Sequence, residues 1–346
     1  MLEAALNFIP ISVFFELTYQ CNLKCIHCYV SSGYKNRELS LKEVKSALDQ
    51  LKNLGSLFLY FSGGEPLLRE DFSEIFKYAR LKGFVVTIYT NATLINEGLI
   101  NIFKEFGVYE IHVSLYSMVP KIHDTITGIR GSFFKTMKSI ELMISKKIKV
   151  VIKCPLTKIN FDGYEKLAEW ADKNGLEYVF TPYITARNDG SKDPFELRLS
   201  DKLLEKALSD SRIDPFRQAQ ENKESDEFFV HLLDKTRNIV CFAGHNSLAI
   251  NALGDVYPCI QFLYKLGNIK KQTLKEIWEN STPIKKIRSL RADQLKECND
   301  CRFRRYCARC PGLALIEDGN LYGKSSFECK LAFIRSKLNA SQKSLT

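Results

Sequence analysis

Several things are missing from this chain. It has no run of 18 uninterrupted apolar residues, which excludes an ordinary membrane-spanning helix. Its first basic residue is Lys24, while Glu3 and Glu16 come earlier, so the basic start of a secretory signal is lacking. There is no low-complexity tract and no internal repeat beyond a strand–helix unit. Positive charge is in excess, +10 overall, but dense only in "IKKIRSLR" (284–291) and "CRFRRYC" (301–307). Aromatics rarely interleave with these runs, so no base-stacking surface is indicated and no nucleic-acid partner is expected. The charge suits solvated helix faces, an acidic peptide or an anionic cofactor. Cysteine, by contrast, is plentiful. Eleven cysteines, an odd number in tight groups without an export signal, read as thiols kept reduced in a cytoplasmic setting and used as metal ligands.

With 45% hydrophobic residues the 346-residue chain has material for a large core. Apolar β-prone runs alternate with amphipathic stretches through the first half. Strands are expected at 13–18, 57–61, 84–90, 109–115, 148–155 and 177–183. The helices between them include one opened by Ser40 and closed by Gly55. Six strand–helix repeats with short turns indicate an α/β fold built on a parallel sheet or barrel, whose sites lie at the C-terminal ends of the strands. That rule places "CNLKCIHC" (21–28), "SGGEPL" (62–67), "TNAT" (90–93) and "SLYS" (114–117) at one face. The charged, Pro-broken stretch 188–238 reads as a linker, and composition changes from Cys241 onward.

In "CNLKCIHC" the spacing is C-x3-C-x2-C. Three thiolates on so tight a loop suit three irons of a [4Fe–4S] cube and leave the fourth iron open, whereas closed metal sites are structural or electron-carrying. A zinc or redox loop with a remote fourth ligand is the plain alternative. On Cys21, Cys25, Cys28 and the following "GGEP", the chain resembles the radical S-adenosylmethionine (SAM) enzymes. The resemblance implies a partial (β/α)6 TIM-type barrel over 1–190 with a SAM-binding [4Fe–4S] cluster on those three cysteines. It implies a reductively cleaved SAM whose 5′-deoxyadenosyl radical abstracts hydrogen from a substrate. It assigns cofactor contacts to His27, which stands where the family has an aromatic, to Gly63, Gly64, Glu65 and Pro66, and to Thr90, Asn91 and Ser114. The paired glycines would admit backbone carbonyls to the methionyl amine, with Glu65 adding charge. Tyr116 stands where the family often has an acidic residue, and Ala92 replaces a usual glycine. Lys153 would pair with the cofactor carboxylate or line the pore.

The remaining cysteines run Cys241, Cys259, Cys298, Cys301, Cys307, Cys310 and Cys329, spaced C-x12-G-x4-C, then C-x2-C-x5-C-x2-C, then C. "CNDCRFRRYC" alone suits a zinc knuckle or a redox pair, although zinc ribbons separate their halves by about 15–20 residues. The whole pattern resembles the SPASM extension, a small cysteine-rich SPASM/twitch domain expected over 241–335 after a helical linker at 191–240, with a tail at 336–346. By that resemblance Cys298, Cys301, Cys307 and Cys329 enclose a distal auxiliary [4Fe–4S] cluster, and Cys241, Cys259 and Cys310 hold a proximal one. Residues 242–258 contain no further cysteine, so an open iron, water, His245 or Asp255 would complete the proximal cluster. One or two auxiliary clusters are thus expected. Cys154 is left over, either a small buried hydrophobe or a thiol that returns a hydrogen atom to a substrate radical.

Enzymes of this architecture mostly modify peptides or proteins by crosslinking, epimerisation or oxidation, and some act on tetrapyrroles. The resemblance therefore implies a peptide or protein substrate and ribosomal-peptide maturation, with haem or other cofactor biosynthesis as the alternative. A reading of another class is a non-catalytic iron–sulfur electron carrier, or a zinc or nucleic-acid-binding module. Strand one begins by residue 13, which leaves no room for an N-terminal leader-binding domain. A separate leader-binding protein and a flavodoxin- or ferredoxin-type reductant are the implied partners, with no membrane partner. "PYITARNDGSKDP" (182–194) reads as a channel lip whose Arg187 meets an acidic peptide, or equally as a surface loop with no role.

Overall fold

In the computed structural model the structure describes residues 2–31, 37–221 and 239–343. Six parallel strands follow one another in sequence and in space: β1 Ser12–Thr18, β2 Phe58–Gly63, β3 Val85–Thr90, β4 Glu110–Ser114, β5 Val150–Pro155 and β6 Glu177–Thr181. Each alternates its two faces. Val13, Phe15 and Leu17 of β1, Leu59 and Phe61 of β2, and Ile111 and Val113 of β4 are buried under the helix layer. Helices Leu41–Asn53, Phe72–Leu81, Glu97–Phe106, Ser132–Ser145 and Tyr164–Lys173 supply that layer. Ser40 and Glu43 form a reciprocal capping box on the first, and Asn96 caps the third. Burying each such large side chain contributes about 1.5–3 kcal/mol.

The opposite faces of the strands line the barrel interior. Phe14 stacks on Tyr60 with ring centroids 4.7 Å apart, and Tyr89 meets His112 edge-on at 4.6 Å. Ser114 and Lys153 lie side by side in the β4–β5 register. His112 contacts Glu110 at 2.9 Å, and Lys149 bridges Glu110 and Glu177, which closes the lower end of the barrel with ion pairs.

The sheet does not stop at the barrel. β7 Ser247–Ile250 pairs parallel with β1 on the side away from β2, and β8 Asp255–Tyr257 and β9 Gly267–Asn268 continue antiparallel. The cysteine-rich region therefore shares one nine-stranded sheet with the barrel. Helix Leu274–Asn280 seats Trp278 in the core, where its indole donates to the Phe8 carbonyl at 2.6 Å. Within the stretch read as a linker, helix Asp201–Leu208 buries Leu204, Ala207 and Leu208 and is tied to helix Ser326–Lys343 by Lys330–Asp201. Residues 222–238 of that stretch and the last tail residues, 344–346, lie outside the described residues. Helix Pro120–Thr127 was not anticipated, because its sequence PKIHDTIT is poor in helix formers. Pro120 at its first position and Gly128 at its end delimit it. No helix among the described residues is long and apolar enough to cross a membrane.

Candidate active site

The loop after β1 carries Cys21, Cys25 and Cys28 and is held in place by the neighbouring strand ends. Lys24 N–H donates to Thr127 O at 2.8 Å and Ile26 N–H to Ile126 O at 3.0 Å, which fastens the loop to helix Pro120–Thr127. From the β2 side, Gly64 N–H donates to Thr18 O and Glu65 N–H to Gln20 O, both at 2.8 Å. The two glycines earn their place here. A Cβ on Gly63, at φ 127°, would stand 2.1 Å from Thr18 O, and one on Gly64 would stand 2.2 Å from Gln20 O. Both glycines are required for the close passage of the two loops.

Glu65 differs from expectation. Its carboxylate is fully buried and turned inward, accepting from Thr90 Oγ1 at 2.7 Å, Asn91 N at 2.8 Å and Leu67 N at 3.1 Å. Burial pushes its pKa up to about 7, against the lowering effect of those donors. Glu65, Thr90 and Asn91 form a polar keystone beneath the site. Asn91 Nδ2 donates to Asn22 Oδ1 at 2.8 Å and lies 3.9 Å from Cys21 Sγ. Ala92 follows with φ 61°, a left-handed conformation that explains the glycine more usual at this position. Pro66, also buried, opens a short 3₁₀ turn over Pro66–Leu68.

Burial and the mutual repulsion of their charges raise the pKa of the Cys25 thiol to about 12, and burial raises that of Cys21 to about 11. The Cys28 thiol is likewise shifted upward by burial, against the pull of the Arg187 charge. Thiols so arranged become stable thiolates only beside a cation that offsets the cost. His27 is kept neutral by burial, its pKa lowered to about 4, and its ring meets Tyr116 edge-on at 4.8 Å. Its Nδ1 is buried without a partner. The Tyr116 hydroxyl lies 4.0 Å from Cys25 Sγ, its ring stacks on His123 at 5.4 Å, and the His123 Nε2 is also unpaired. Ser114 and Lys153 face the interior at the ends of β4 and β5, where burial lowers the Lys153 pKa.

A cavity of about 1060 Å³ opens over the three thiols, lined by Cys21, Cys25 and Cys28 on one side and by Arg187, Asp193 and Glu196 on the other. Asp189 and Lys24 complete its charged rim. Arg187, expected to face substrate, is tied inward instead: Nη1 donates to Cys28 O at 2.8 Å and the guanidinium is paired with Asp193.

Cys154 is buried on the helix-facing side of β5, on the face that carries Ile152 and opposite Lys153. Its Sγ donates to Tyr116 O at 3.7 Å and accepts from Asn160 Nδ2 at 3.5 Å. It is packed in the hydrophobic core, which favours the reading of a small buried hydrophobe.

The remaining thiols gather in two sets. Cys241 carries the field of Cys310 and Cys259, while Cys307 carries that of Cys329 and Cys298, and Cys329 that of Cys298 and Cys301. Arg309 sits between the sets: Nε and Nη2 donate to Gly323 O at 3.0 and 2.6 Å, and its charge acts on Cys298, Cys310 and Cys307. Arg309 Nη1, Ser325 Oγ and Glu328 Oε2 are buried there without partners, so polar capacity remains for a group seated among the thiols. Among the described residues no three His, Cys, Asp or Glu side chains converge tightly enough for one metal ion. Of the two side chains considered as ligands, His245 has its Nδ1 3.4 Å from Ala243 O, and Asp255 is paired with Lys265 at 2.5 Å and accepts from Asn268 at 2.6 Å.

A parallel barrel with a three-thiol loop at the C-terminal mouth and a thiol-rich extension defines a class of iron–sulfur enzymes. Residues 15–171 match the Radical SAM superfamily and residues 241–302 the SPASM iron–sulfur cluster-binding domain. The chain belongs to the radical SAM superfamily and is an enzyme that uses SAM and a [4Fe–4S] cluster, with auxiliary iron–sulfur binding in its SPASM region. An AdoMet-dependent heme synthase of Methanosarcina barkeri is 29% identical over 90% of this chain and 94% of its own length. The antilisterial bacteriocin subtilosin biosynthesis protein AlbA of Bacillus subtilis is 27% identical over 87% of this chain and 67% of its own. The crystal structure of Streptococcus suis SuiB bound to S-adenosylmethionine shares the fold, with a TM-score of 0.69 at 20% identity, covering 91% of this chain and 76% of that one.

Proposed function

We propose that the enzyme matures a ribosomally made peptide or protein by abstracting a hydrogen atom from it. The observation that carries this reading is the charge of the cavity mouth. Asp189, Asp193 and Glu196 outnumber Lys24 and Arg187, although the whole chain carries +10. Such a rim repels a substrate bearing several carboxylates, as a tetrapyrrole with propionates does, and accepts neutral or basic peptide side chains. The subtilosin biosynthesis protein supports the same substrate class.

In this reading Cys21, Cys25 and Cys28 would hold the cluster that binds SAM, and His27, Gly64, Ser114 and Lys153, which lie at the mouth or line the barrel, would contact the cofactor. When bound, the pair supplies one-electron hydrogen-atom abstraction. The protein's own task is to orient and to exclude water. The Glu65–Thr90–Asn91 keystone fixes the loop, and the aromatic floor of Phe14, Tyr60 and Tyr89 closes the barrel below. Cys241, Cys259 and Cys310, and separately Cys298, Cys301, Cys307 and Cys329, are assigned to auxiliary clusters that take an electron from substrate or pass one on. A flavodoxin- or ferredoxin-type protein would reduce the enzyme, and a separate protein would present the leader.

A second reading, haem or tetrapyrrole synthesis, is favoured by the 29% identity to the heme synthase over nearly the full length of both chains. Anaerobic assay with SAM, reductant and either a precursor peptide or iron-coproporphyrin separates them by mass spectrometry. A mass change on the peptide alone supports maturation. Loss of carboxyl groups from the porphyrin alone overturns it.

A further inference from the structure

The loop after β6 ties the three-thiol loop to the thiol-rich region. At one end Asn188 N–H donates to Tyr29 O at 2.7 Å, and Asn188 Oδ1 accepts from Ser31 N and Oγ at 2.9 and 2.7 Å. At the other, Arg198 pairs with Glu317 at 2.5 Å and Lys192 donates to Glu317 O at 2.8 Å, about two turns beyond Cys310. Between these anchors sits Arg187. Its backbone is closed into a turn, with Arg187 N–H donating to Ser191 O and Gly190 N–H to Arg187 O, both at 2.9 Å.

The Arg187 side chain is only 21% exposed and is oriented from two sides. Nη1 donates to the Cys28 carbonyl, while Nε and Nη2 engage Asp193, Nη2 at 2.8 Å. It is thus a fixed cation, held by a carboxylate and aimed at a backbone oxygen of a thiol-bearing residue. The other charged groups near this thiol are Glu16, which acts on Cys28, and Lys24 on the same loop. No sequence motif assigns Arg187 a task, and its position depends on the folding of a loop five strands away.

We propose that Arg187 is a positioning residue that raises the reduction potential of the cluster held by Cys21, Cys25 and Cys28, and that Asp193 sets how much of that positive charge the cluster feels. Reduction adds one electron to the cluster, and no bond is made or broken at Arg187. A nearby cation stabilises the more negative reduced form, in partly desolvated surroundings where water screens it poorly. The hydrogen bond to Cys28 O draws charge from the ligand backbone in the same direction. The inference rests on the assignment of a cluster to these three cysteines.

The test is an electron paramagnetic resonance redox titration of the anaerobically purified full chain, following the signal that changes when SAM is added. R187Q is expected to lower the reduced-to-oxidised ratio at a fixed potential about tenfold, which for a one-electron couple is about 59 mV. D193N is expected to raise the ratio several-fold, and R187K to stay nearer the parent protein than R187Q does. Opposite shifts in R187Q and D193N are the signature, because a purely structural role would lower iron content in both without moving the midpoint in opposite directions. Full iron content with an unchanged midpoint in R187Q and D193N overturns the inference and leaves the cluster assignment standing. A parent protein with no SAM-responsive signal overturns both.

Discussion

The two thiol-bearing regions are held by opposite means. The Cys21–Cys28 loop borrows its shape from the barrel: backbone bonds from Gly64, Glu65, Thr127 and Ile126 and the Arg187 guanidinium all converge on it. The stretch around Cys298–Cys310 has little of this. Its backbone is a series of short turns bonded locally, Cys298 N–H to Leu295 O, Cys301 N–H to Cys298 O and Cys307 N–H to Arg304 O, with a helix of only four residues at Lys296–Asn299, and its long-range ties are side-chain bonds at Tyr306 and Arg309. One site is pre-shaped by a large hydrophobic core. The other must draw much of its shape from what it binds, as small metal-dependent folds do.

The largest way to break that contrast is to remove thiols. C25A should drop 5′-deoxyadenosine formation to background while the thermal melt stays near that of the parent. C301A, or iron chelation, should instead open 296–310 to proteolysis while the barrel resists, as read by mass spectrometry of the fragments. Next comes the buried Arg335–Asp214 pair at 2.9 Å, with side chains 5% and 2% exposed, which pins helix Ser326–Lys343. R335M leaves Asp214 uncompensated and should cost about 3–5 kcal/mol in a denaturant titration. G64A attacks the barrel side. Its Cβ would lie 2.2 Å from Gln20 O, a backbone collision expected to cost about 2–4 kcal/mol and to lower iron bound at the first loop.

A subtler probe is Glu16, fully buried below the loop with Tyr29 Oη donating to it at 2.6 Å. Burial raises its pKa from 4.5 to about 7. The native state therefore holds this proton longer than the unfolded chain does. Its stabilising contribution is complete below pH 4.5 and is lost as pH rises through about 7, a change of about 3 kcal/mol at 1.36 kcal/mol per unit. E16Q should flatten that part of the stability–pH curve. An equal slope in E16Q and parent would remove Glu16 as its source. Least of all, L81K on a side chain 76% exposed should change stability by under about 0.5 kcal/mol.

Much of the barrel was legible because its strands are continuous apolar runs between turn residues, and because Ser40 announces its helix. β7, β8 and β9 were not, being four, three and two residues long and owing their place to a ladder that begins at β1 rather than to local pattern. The thiols of the site were legible from spacing alone. The inward turn of Glu65 was not, since its partners Thr90 and Asn91 lie on another strand end. Arg187 read as a surface cation because nothing local to residues 182–194 reveals Cys28 O across the mouth. Cys154 shows the same limit: a strand's two faces look alike in sequence until one knows which is covered by helices.

Because β7 zips along β1, the strand that launches the three-thiol loop has neighbours on both flanks. Trimming the chain before the thiol-rich portion would strip one flank bare, turning β1 into an exposed border with open amides and carbonyls. Such a border invites intermolecular strand addition. The chain's two iron–sulfur regions are in this sense inseparable, and a barrel expressed alone should be found in aggregates.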